Sequence, residues 1–596
     1  MQYKNLAEMF FNKRETLGEK AAYRFKEHGQ WNEVSFKEVV DTVEKIAAGL
    51  SAKGIKKGDR VGLISPNRKE WAYTDYATIT MGAILVPIYP SLLADQIKYI
   101  LNDAEAKLLV VSDEIQMEKL QPVLDDLEHT KHFYILDFEG DKLPAPWKPY
   151  NDLITEGEQF LKKNEKYVID QIKKIDSDDW CSIIYTSGTT GRPKGAILTH
   201  TNFLHNIESS TSILPITQED TFLSFLPLSH IFERMAGHYL SFYHGCTVAY
   251  AESIDTVAEN LGEIRPTVMV SVPRLYEKIY ARVIENVENG PPLKRHIFNW
   301  AIKVGDRYIE KVMNKQAVGG TLAIKNKLAY KLVFKKLKER VGGKLRFFVS
   351  GGAPLSPEIA KFFGSAGLLI LEGYGLTETS PVIAVNRLDN FRFGTVGPPI
   401  PEVEVKIAED GEILTRGAHV MKGYYKLEEE TREAIDEDGW FHTGDIGIIE
   451  DGFLRITDRK KNIIVTSGGK NIAPQPIENN LINSKYIEQA MLVGDKRKFC
   501  SAVIVLGEDA VRSWLKEKNI TADNYDEMIK KTEVKELIRS EIDRVTAHLA
   551  RYETIKDFIL ANEPFSIENE QLTPSLKIKR HVVEKVYGGE IDAIYE

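Results

Sequence analysis

Cysteine is scarce in this sequence, with three residues among 596, and these three lie far apart. No CxxC pair or zinc-type spacing occurs, which argues against a disulfide scaffold and fits a reducing compartment. The N-terminal residues contain no long apolar segment, so no secretory signal peptide is predicted. One uncharged stretch, 76–94, contains a glycine and two prolines, and it predicts a buried helix followed by a strand rather than a membrane span. We expect a cytoplasmic protein.

Several catalytic and recognition motifs are also missing. No Walker-type Gly-x4-Gly-Lys-Ser/Thr loop, Gly-x-Ser-x-Gly elbow or His-Glu-x-x-His pair occurs, so P-loop, serine-hydrolase and zinc-protease chemistry are not predicted. The chain has no zinc finger, RNA-recognition signature or basic arm, and its 87 acidic residues outnumber its 78 basic ones. We therefore predict no nucleic-acid partner.

What is present is the composition of a folded enzyme. Hydrophobic residues make up 43% and charged residues 28%, close to the globular average, which excludes wholesale disorder. Helical and strand patterns alternate early in the chain, as in the helical spacing of 36–50 and the apolar run at 107–112. This alternation predicts an α/β fold with largely parallel sheets. The length indicates several cores, or one large multi-lobed domain and a smaller one.

The most informative segment is 185–200, YTSGTTGRPKGAILTH, which follows an apolar strand. Small residues let the backbone approach a phosphate closely, hydroxyls and successive N–H groups can bind its oxygens, and a lysine adds positive charge. The pattern predicts a phosphate-binding loop. Its candidate ligands are Thr186, Ser187, Gly188, Thr189, Thr190, Gly191 and Lys194.

This segment resembles the phosphate-binding signature of the adenylate-forming (AMP-binding) superfamily, which includes acyl-CoA synthetases, aryl-CoA ligases, luciferases and peptide-synthetase adenylation domains. Segments similar to the family's other signatures follow in the family's order, so the resemblance covers nearly the whole chain. They are LPLSHIFER (226–234), SGGAPLSPE (350–358), EGYGLTETS (372–380), GTVGPP (394–399), WFHTGDIG (440–447), DRKKNIIVTSGGKNIAP (458–474) and LTPSLKIKR (572–580).

The resemblance implies a two-part architecture. A large N-terminal body, 1–457, would contain parallel-rich sheets flanked by helices and a small β subdomain. A small mobile α+β cap, 458–596, would follow, with its hinge at Lys461. The same resemblance assigns the hinge to the cap, and it assigns the coenzyme A contacts to Ser467, Gly468 and Gly469. Val465 stands where many relatives carry a lysine.

The reaction implied by the resemblance joins a carboxylate to the α-phosphate of ATP with release of pyrophosphate, and a thiol then attacks the acyl-adenylate and releases AMP. ATP, Mg2+ and coenzyme A are the implied cofactors. Because the substrate carboxylate is the nucleophile, the step needs orientation of two anions and neutralisation of charge rather than a catalytic Ser or Cys. The thiol arrives on coenzyme A, so the chain's own cysteines are not needed.

The resemblance also assigns roles to residues. Thr186 and Glu378 would hold Mg2+, Tyr374 would stack on adenine, and Asp445 would accept from the ribose hydroxyls. The wider ATP-binding set comprises the phosphate loop with Gly352, Ala353, Glu372, Gly373, Tyr374, Gly375, Thr377, Asp445 and Arg459. The catalytic candidates are His230, Glu378, Arg459 and Lys577. A structural role for His230 stays open, and Lys577 is chosen over Lys579 and Arg580 by motif alignment alone, with Leu576 replacing the family's usual glycine.

The acyl substrate is less determined than the reaction. LPLSHIFER, LTPSLKIKR and a long insertion before residue 345 resemble long-chain fatty acyl-CoA synthetases. Aromatic-rich stretches at 221–228 and 237–245 fit either an acyl tunnel or ordinary buried core. Medium-chain or aryl-CoA ligation, and transfer to an acyl-carrier-protein thiol, stay open as alternatives. A non-enzymatic nucleotide- or lipid-binding scaffold is disfavoured, because Thr186, Lys194, Glu378, Asp445, Arg459 and Lys577 are all present.

The insertion, 291–340, is strongly basic. It holds 13 Lys/Arg and three acidic residues, a local charge of +10 in a chain whose formal charge is −9. Residues 330–341 predict a basic helix with Leu332, Val333, Leu337 and Val341 on one side. The segment fits a solvated surface hairpin, the phosphates of a bulky ligand, or peripheral contact with anionic lipid at the inner face of a membrane. The sequence does not determine an oligomeric state.

Overall fold

Helices and strands alternate through most of the computed structural model, which describes residues 1–186, 192–547, 549–566, 568–573 and 577–596. The first part contains α1 (Leu6–Leu17), β1 (Ala21–Glu27), β2 (Gln30–Ser35), α2 (Phe36–Ala52), β3 (Arg60–Ile64), α3 (Lys69–Thr80), β4 (Ile84–Ile88), α4 (Ala94–Asp103), β5 (Ala106–Val111), α5 (Glu114–Leu120), β6 (His132–Ile135), β7 (Trp147–Pro149), α6 (Asn151–Leu161), α7 (Tyr167–Ile172) and β8 (Trp180–Thr186).

The central part continues with β9 (Lys194–Thr199), α8 (His200–Thr211), β10 (Thr221–Ser224), a π-helix (Glu233–Tyr239), α9 (Leu240–His244), β11 (Thr247–Tyr250), α10 (Val257–Ile264), β12 (Val268–Ser271), α11 (Pro273–Glu288), α12 (Pro292–Met313), α13 (Gly320–Ala329), a second π-helix (Tyr330–Phe334), α14 (Lys335–Arg340), β13 (Phe347–Ser350), α15 (Pro357–Ser365), β14 (Ile370–Gly375), β15 (Val382–Val385), β16 (Glu404–Ile407), β17 (Glu412–Arg416), β18 (Gly423–Tyr424), α16 (Glu428–Ala434), β19 (Phe441–Glu450) and β20 (Phe453–Arg459).

The last part contains β21 (Ile464–Val465), β22 (Asn471–Ile472), α17 (Pro474–Ile482), β23 (Ile487–Val493), β24 (Cys500–Leu506), α18 (Glu508–Glu517), α19 (Tyr525–Lys530), α20 (Thr532–Thr546), β25 (Ile555–Leu560), α21 (Arg580–Val586) and α22 (Gly588–Tyr595). Short 3-10 helices lie at Gln121–Asp126, Thr377–Thr379 and Lys460–Asn462.

Two large sheets form the body. In the described part of the chain each has eight strands, in the orders β15-β14-β13-β12-β10-β11-β1-β2 and β18-β9-β8-β4-β3-β5-β6-β7. Most of their pairs are parallel, as in β12 with β13 and β3 with β4, whereas the edge pairs β1 with β2 and β9 with β18, and the adjoining pair β8 with β9, are antiparallel. The expected α/β class with parallel-rich sheets is confirmed. The uncharged stretch near residue 76 forms the end of α3 and then β4, and no helix in the described residues is long and apolar enough to cross a membrane.

Local sequence explains how α2 begins and packs. The Ser35 hydroxyl accepts from the backbone N–H of Glu38, and the Glu38 carboxylate accepts from the backbone N–H of Ser35, which caps the first turn. Helix α2 also lies directly against α6. A Cβ at Gly49 would come within 2.1 Å of the Leu153 carbonyl oxygen, so only glycine permits this contact.

A fully buried charge network crosses the interior of the body. The Arg234 guanidinium donates to Asp75 at 2.6 Å and to the Ser182 hydroxyl at 2.6 Å, and His238 lies 3.3 Å from the same carboxylate. Burial alone would raise the pKa of Asp75, but the neighbouring Arg234 and His238 outweigh it, so the pKa is lowered and the carboxylate is ionised. The network links α3, β8 and the first π-helix.

The cap has apolar cores of its own. A four-stranded sheet, β16-β17-β19-β20, completes the body, and the three-stranded sheet β23-β24-β25 organises the cap. Within the described residues, the two cap clusters involve residues after 463, such as Ile504 and Val505, while the body clusters end at residue 456. The division at 457/458 stays a prediction.

The basic insertion folds as a hairpin of α12 against α13 and the helical turns after it. Val333 and Leu337 pack inward and Val341 is buried, as expected, but Leu332 points to solvent. The prediction that Leu332 shares their side is therefore wrong. At 3.6 residues per turn, Leu332 lies about 100° to 180° around the helix from Val333, Leu337 and Val341, so a regular α-helical spacing already separates it from them. The chain forms a π-helix at Tyr330–Phe334.

Candidate active site

The candidate nucleotide residues converge where strands of the body end. Thr186 is the last residue of β8, Glu372 to Gly375 form the end of β14, and Gly352 and Ala353 follow β13. The carboxyl ends of the parallel neighbours β13 and β14 meet at one edge of their sheet, so the residues that follow β13 lie close to the end of β14. Thr186 belongs to the other large sheet and is linked to Glu378 through Lys194 and Tyr424. Ser187, Gly188, Thr189, Thr190 and Gly191 lie outside the described residues.

Asp445 is the most firmly fixed residue of the cleft. It stands opposite Arg459 in the antiparallel pair β19–β20, and its Oδ1 accepts from Arg459 Nε at 3.0 Å. Its Oδ2 accepts from the Tyr374 hydroxyl at 2.7 Å. Burial raises the pKa of Tyr374 far above its ordinary value, so this hydroxyl keeps its proton and serves as the donor. Asp445, Tyr374 and Arg459 thus form one hydrogen-bonded group.

Glycines make room around Tyr374. A Cβ at Gly375 would lie 1.7 Å from the Pro381 carbonyl oxygen, and one at Gly351 would lie 3.0 Å from the Phe232 ring. Gly352 has a φ of +81°, a left-handed conformation that favours glycine. Gly352 and Ala353 are exposed at the rim, whereas the Glu372 carboxyl is buried and burial raises its pKa to about 8.

Glu378 and Thr186 supply an oxygen-only ligand set. The Tyr424 hydroxyl donates to Glu378 Oε1 at 2.9 Å, and the Lys194 ammonium lies 5.3 Å from the centre of the Tyr424 ring. The Thr186 hydroxyl donates to the Lys194 carbonyl at 3.4 Å. A carboxylate and a hydroxyl match the hard oxygen ligands that Mg2+ prefers. The described residues contain no cluster of three or more His, Cys, Asp or Glu side chains suited to a metal, so phosphate oxygens and water would complete the coordination.

Lys577 reaches this cleft from the cap. The surrounding protein lowers the pKa of Lys577 to about 8, first by desolvation and then through the Arg459 cation, while Asp445 and Glu378 oppose the shift. Lys577 itself is solvent-exposed, although protein surrounds it at longer range. Arg580 is engaged elsewhere, with Glu478 and the Leu492 carbonyl of the cap.

His230 stands beside the same lysine. Burial first, and then the Lys577 charge, lower the pKa of His230 to about 4, so the imidazole is neutral near pH 7. Its Nδ1 accepts from the Phe232 backbone N–H at 3.2 Å, which assigns the proton to Nε2. A neutral N–H donor is thereby available to a carboxylate.

The remaining predicted residues lie in the body beside Glu378 and at the start of the cap. Thr377 begins the 3-10 helix that carries Glu378, and Lys461 lies in the 3-10 helix after β20. Ser467, Gly468 and Gly469 form the turn between β21 and β22, where the Ser467 N–H donates to the Arg497 carbonyl at 2.8 Å. In the described part of the chain no hydrogen bond or ion pair joins this turn to Asp445, so their coenzyme A role stays a prediction.

Sequence reasoning missed Tyr424 and Phe232. Tyr424 orients Glu378 from 46 residues away, and only tertiary structure reveals that pairing. Phe232 lies inside the LPLSHIFER segment, so the segment gave a signal, but no pattern indicates that its ring packs on Gly351.

The cleft and its order of segments agree with comparisons to known proteins. The family described as AMP-binding enzyme matches residues 10–425, and the AMP-binding enzyme C-terminal domain matches 461–596. The chain belongs to the AMP-binding enzyme family. Among curated relatives of this AMP-binding enzyme, a long-chain-fatty-acid–CoA ligase (FadD15) of Mycobacterium bovis is 35% identical over all of this chain and 97% of that protein. The peroxisomal long chain acyl-CoA synthetase 6 of Arabidopsis thaliana is 34% identical, over 95% of this chain and 82% of that protein.

Solved structures share the fold of this AMP-binding enzyme. The anthranilate CoA ligase AuaEII in complex with anthranoyl-AMP aligns with a TM-score of 0.74 and 19% identity, over 99% of this chain and 98% of that one. The A domain of a carboxylic acid reductase from Segniliparus rugosus, in complex with AMP, gives a TM-score of 0.74 and 21% identity, over 100% of this chain and 94% of that one.

Proposed function

We propose that this enzyme activates a long-chain fatty acid with ATP to an acyl-adenylate, releases pyrophosphate, and then forms the coenzyme A thioester with release of AMP. The observation that carries the proposal is the arrival of Lys577 from the cap in a cleft that already contains Asp445, Glu378 and Arg459. The long-chain substrate class is supported by the names of full-length relatives.

In the first half-reaction a carboxylate oxygen attacks the α-phosphorus, and the bond to pyrophosphate breaks. Negative charge gathers on the transferring group, so fixed cations lower the barrier. Lys577 and Arg459 supply that charge, and neutral His230 donates from Nε2 to the fatty carboxylate. Tyr424 orients Glu378, which with Thr186 would hold Mg2+; the bound ion would neutralise phosphate charge and orient the leaving group.

Nucleotide position is set by the body. Asp445 accepts from the ribose hydroxyls, Tyr374 offers its ring to adenine, and the glycines at 373 and 375 allow close approach. Lys194 and the loop before it bind the outer phosphates. Holding both reactants in one orientation supplies much of the rate enhancement of such a reaction.

In the second half-reaction the thiol of coenzyme A attacks the acyl carbon, and AMP leaves with the phosphate oxygen. The protein's own thiols are unsuited to this step. Cys181, Cys246 and Cys500 are all buried, and burial raises the pKa of Cys246 to about 12 and of Cys500 to about 11. A turn of the cap about Lys461 would bring Ser467, Gly468 and Gly469 toward the pantetheine arm.

Substrate and acceptor are tested together by measuring pyrophosphate release with palmitate, octanoate and benzoate, each with coenzyme A, with holo acyl-carrier protein and with neither. We expect the highest kcat/KM for palmitate, and AMP release with coenzyme A. Preference for benzoate or octanoate would replace the long-chain assignment, and AMP release only with carrier protein would replace the acceptor. Pyrophosphate formation with none of a broad acid panel would refute the adenylation proposal.

We also propose that residues 291–340 dock the enzyme on an anionic membrane surface. A helix of a soluble hairpin needs one apolar face, and here that face packs against α12 through Ala329 and Phe334. The same helical segment carries a second apolar row on its outer side, Ile324, Leu328 and Leu332, which are 70%, 48% and 45% exposed. An exposed apolar row of this kind indicates a contact surface.

The charges around this row favour lipid as the occupant. Lys325, Lys327 and Lys331 are sequence neighbours of the three aliphatic residues. Of the Lys and Arg residues within 291–340, all of them described, only Lys335 forms an ion pair, with Glu339. Aliphatic side chains surrounded by lysines match the acyl and anionic headgroup regions of a bilayer interface. A fatty acid substrate also partitions into such a bilayer.

Sedimentation with phosphatidylglycerol-containing vesicles tests this surface. Changing Ile324, Leu328 and Leu332 together to Ser, or Lys325, Lys327 and Lys331 together to Gln, should abolish binding, and Ile115→Ser, at an exposed aliphatic residue elsewhere, should not. Wild-type binding should fall with added salt and be absent on phosphatidylcholine vesicles. Unchanged binding in both triple variants would refute the proposal, and binding to acidic acyl-carrier protein without vesicle binding would assign the surface to a protein partner.

A further inference from the structure

Two ion pairs connect a single helix of the body to a short segment of the cap. Near the start of α11, the Arg274 guanidinium pairs with the Glu488 carboxylate and also donates to the Glu488 carbonyl at 3.3 Å. At the end of α11, Glu288 pairs with Lys485 at 3.2 Å. Both cap partners lie within four residues of each other at the beginning of β23. The helix therefore joins the cap through two ion pairs that involve none of the candidate nucleotide residues.

The cap segment that contains Lys485 and Glu488 is connected by hydrogen bonds to the residues near Lys577. Gln489, next to Glu488, bonds both backbone groups of Phe565, donating to its carbonyl at 3.1 Å and accepting from its N–H at 2.9 Å. The neighbouring Ser566 carbonyl accepts from the Leu572 N–H at 2.9 Å, and Leu572 forms a β-bridge with Ile578. This series of contacts runs from the Arg274 pair to the residue beside Lys577.

The strength of the pairs suits a contact that forms and breaks. Arg274 and Glu488 are 36% and 38% exposed, and Lys485 and Glu288 about half exposed, so water screens both pairs. Arg274 also has a second acidic neighbour, because Glu277, one turn later on α11, lies 3.9 Å away. When the cap moves away, Glu277 stays as a partner for the guanidinium, which lowers the cost of separation.

We propose that Arg274 is a positioning residue for adenylation: its pair with Glu488, supported by Lys485–Glu288, holds the cap in the orientation that places Lys577 in the cleft, and both pairs open before the thioester forms. This inference rests on the proposed two-step reaction. In this proposal α11 favours the cap orientation for adenylation, while rotation about the hinge at Lys461 permits thioester formation.

Separate assays of the half-reactions test the proposal. Arg274→Glu places an acidic side chain against Glu488 and Glu277, so pyrophosphate release should fall roughly 5- to 10-fold, as expected for loss and reversal of a half-exposed pair. Conversion of supplied palmitoyl-adenylate to palmitoyl-CoA should stay unchanged or become faster. Glu488→Arg alone should slow the first step similarly. The charge swap Arg274→Glu/Glu488→Arg should restore it, and the unchanged thioester step distinguishes positioning from a merely structural role, which would alter both steps.

Arg282→Glu provides the matched control, because Arg282 is exposed on the same helix and forms no ion pair within the described residues. It should leave both steps unchanged. The proposal is overturned if Arg274→Glu alters neither step, slows both equally, or is not rescued by the charge swap. Failure of the two-step reaction itself is a different result, since the wild-type enzyme would then form no pyrophosphate or thioester at all.

Discussion

The body and the cap contribute to one cleft in different ways. In the body the Asp445 carboxylate is buried, and it accepts from the Tyr374 hydroxyl at 2.7 Å and from Arg459, where the cap region begins, at 3.0 Å. The cap supplies Lys577 from a segment outside the regular helices and strands, and the two ion pairs that join the cap to α11 are partly exposed. From this difference we propose that the nucleotide site stays formed in both half-reactions, whereas the Lys577 charge enters the cleft for one step and then leaves it.

The largest expected effect tests the rigidity of the body. Asp75→Ala leaves the Arg234 guanidinium buried without its carboxylate, and removal of one partner from a buried pair costs about 3–5 kcal/mol. Calorimetry should show a lower unfolding temperature for the body and an unchanged transition for the cap, which has separate apolar cores.

Glu404→Ala, which removes a solvent-exposed pair with Arg416, is the control and should leave both transitions unchanged. If Asp75→Ala shifted both transitions together, the body and the cap would unfold as one cooperative unit and not as two regions of independent stability.

The next effect concerns nucleotide affinity. Asp445→Asn removes the charge that Arg459 and Tyr374 hold in place, and a hydrogen bond to a charged group is worth about 1.5–3 kcal/mol, so ATP should bind about 10- to 100-fold more weakly by calorimetry. Tyr374→Phe keeps the carboxylate and removes one donor, so its loss should be smaller. Equal affinity for wild type and Asp445→Asn would show that the carboxylate does not contact the ribose.

The smallest effect is the pH dependence that Lys577 confers. Its pKa is lowered to about 8, so the ammonium loses its proton as the pH rises through that value. Because kcat/KM reports ionisation of the free enzyme, kcat/KM for adenylation should fall about tenfold between pH 8.5 and 9.5. Lys577→Arg keeps its charge in this range, and its profile should be flat there. A wild-type profile without this decline would mean that the lysine charge does not serve the first step.

Local sequence patterns predicted the regular parts of this molecule well. The helix at 36–50, the strand at 107–112 and the α/β class rest on periodicity, which acts over a few residues. The phosphate loop and the Asp445 segment were recognised by their family resemblance. The contacts that arrange them are long-range: Asp75 meets Arg234 across 159 residues, and Arg274 meets Glu488 across 214.

Such long-range pairs produce no periodic pattern in the sequence, so they could not be predicted from it. The error at Leu332 has a local cause, since at 3.6 residues per turn this residue lies about 100° to 180° around the helix from Val333, Leu337 and Val341. Lys577 is the intermediate case. Motif alignment selected it over Lys579 and Arg580, and the structure adds that Arg580 is occupied within the cap.

We propose that the body binds nucleotide in both half-reactions and that the cap places Lys577 in the cleft only for adenylation. Lys577→Ala, with Lys579→Ala as control, tests it when pyrophosphate release and thioester formation from supplied palmitoyl-adenylate are measured separately. The account predicts that adenylation falls about 10²- to 10³-fold, the usual effect of losing one transition-state charge partner, while ATP binding and thioester formation are retained. Equal loss of both half-reactions, or no loss in either, would contradict it.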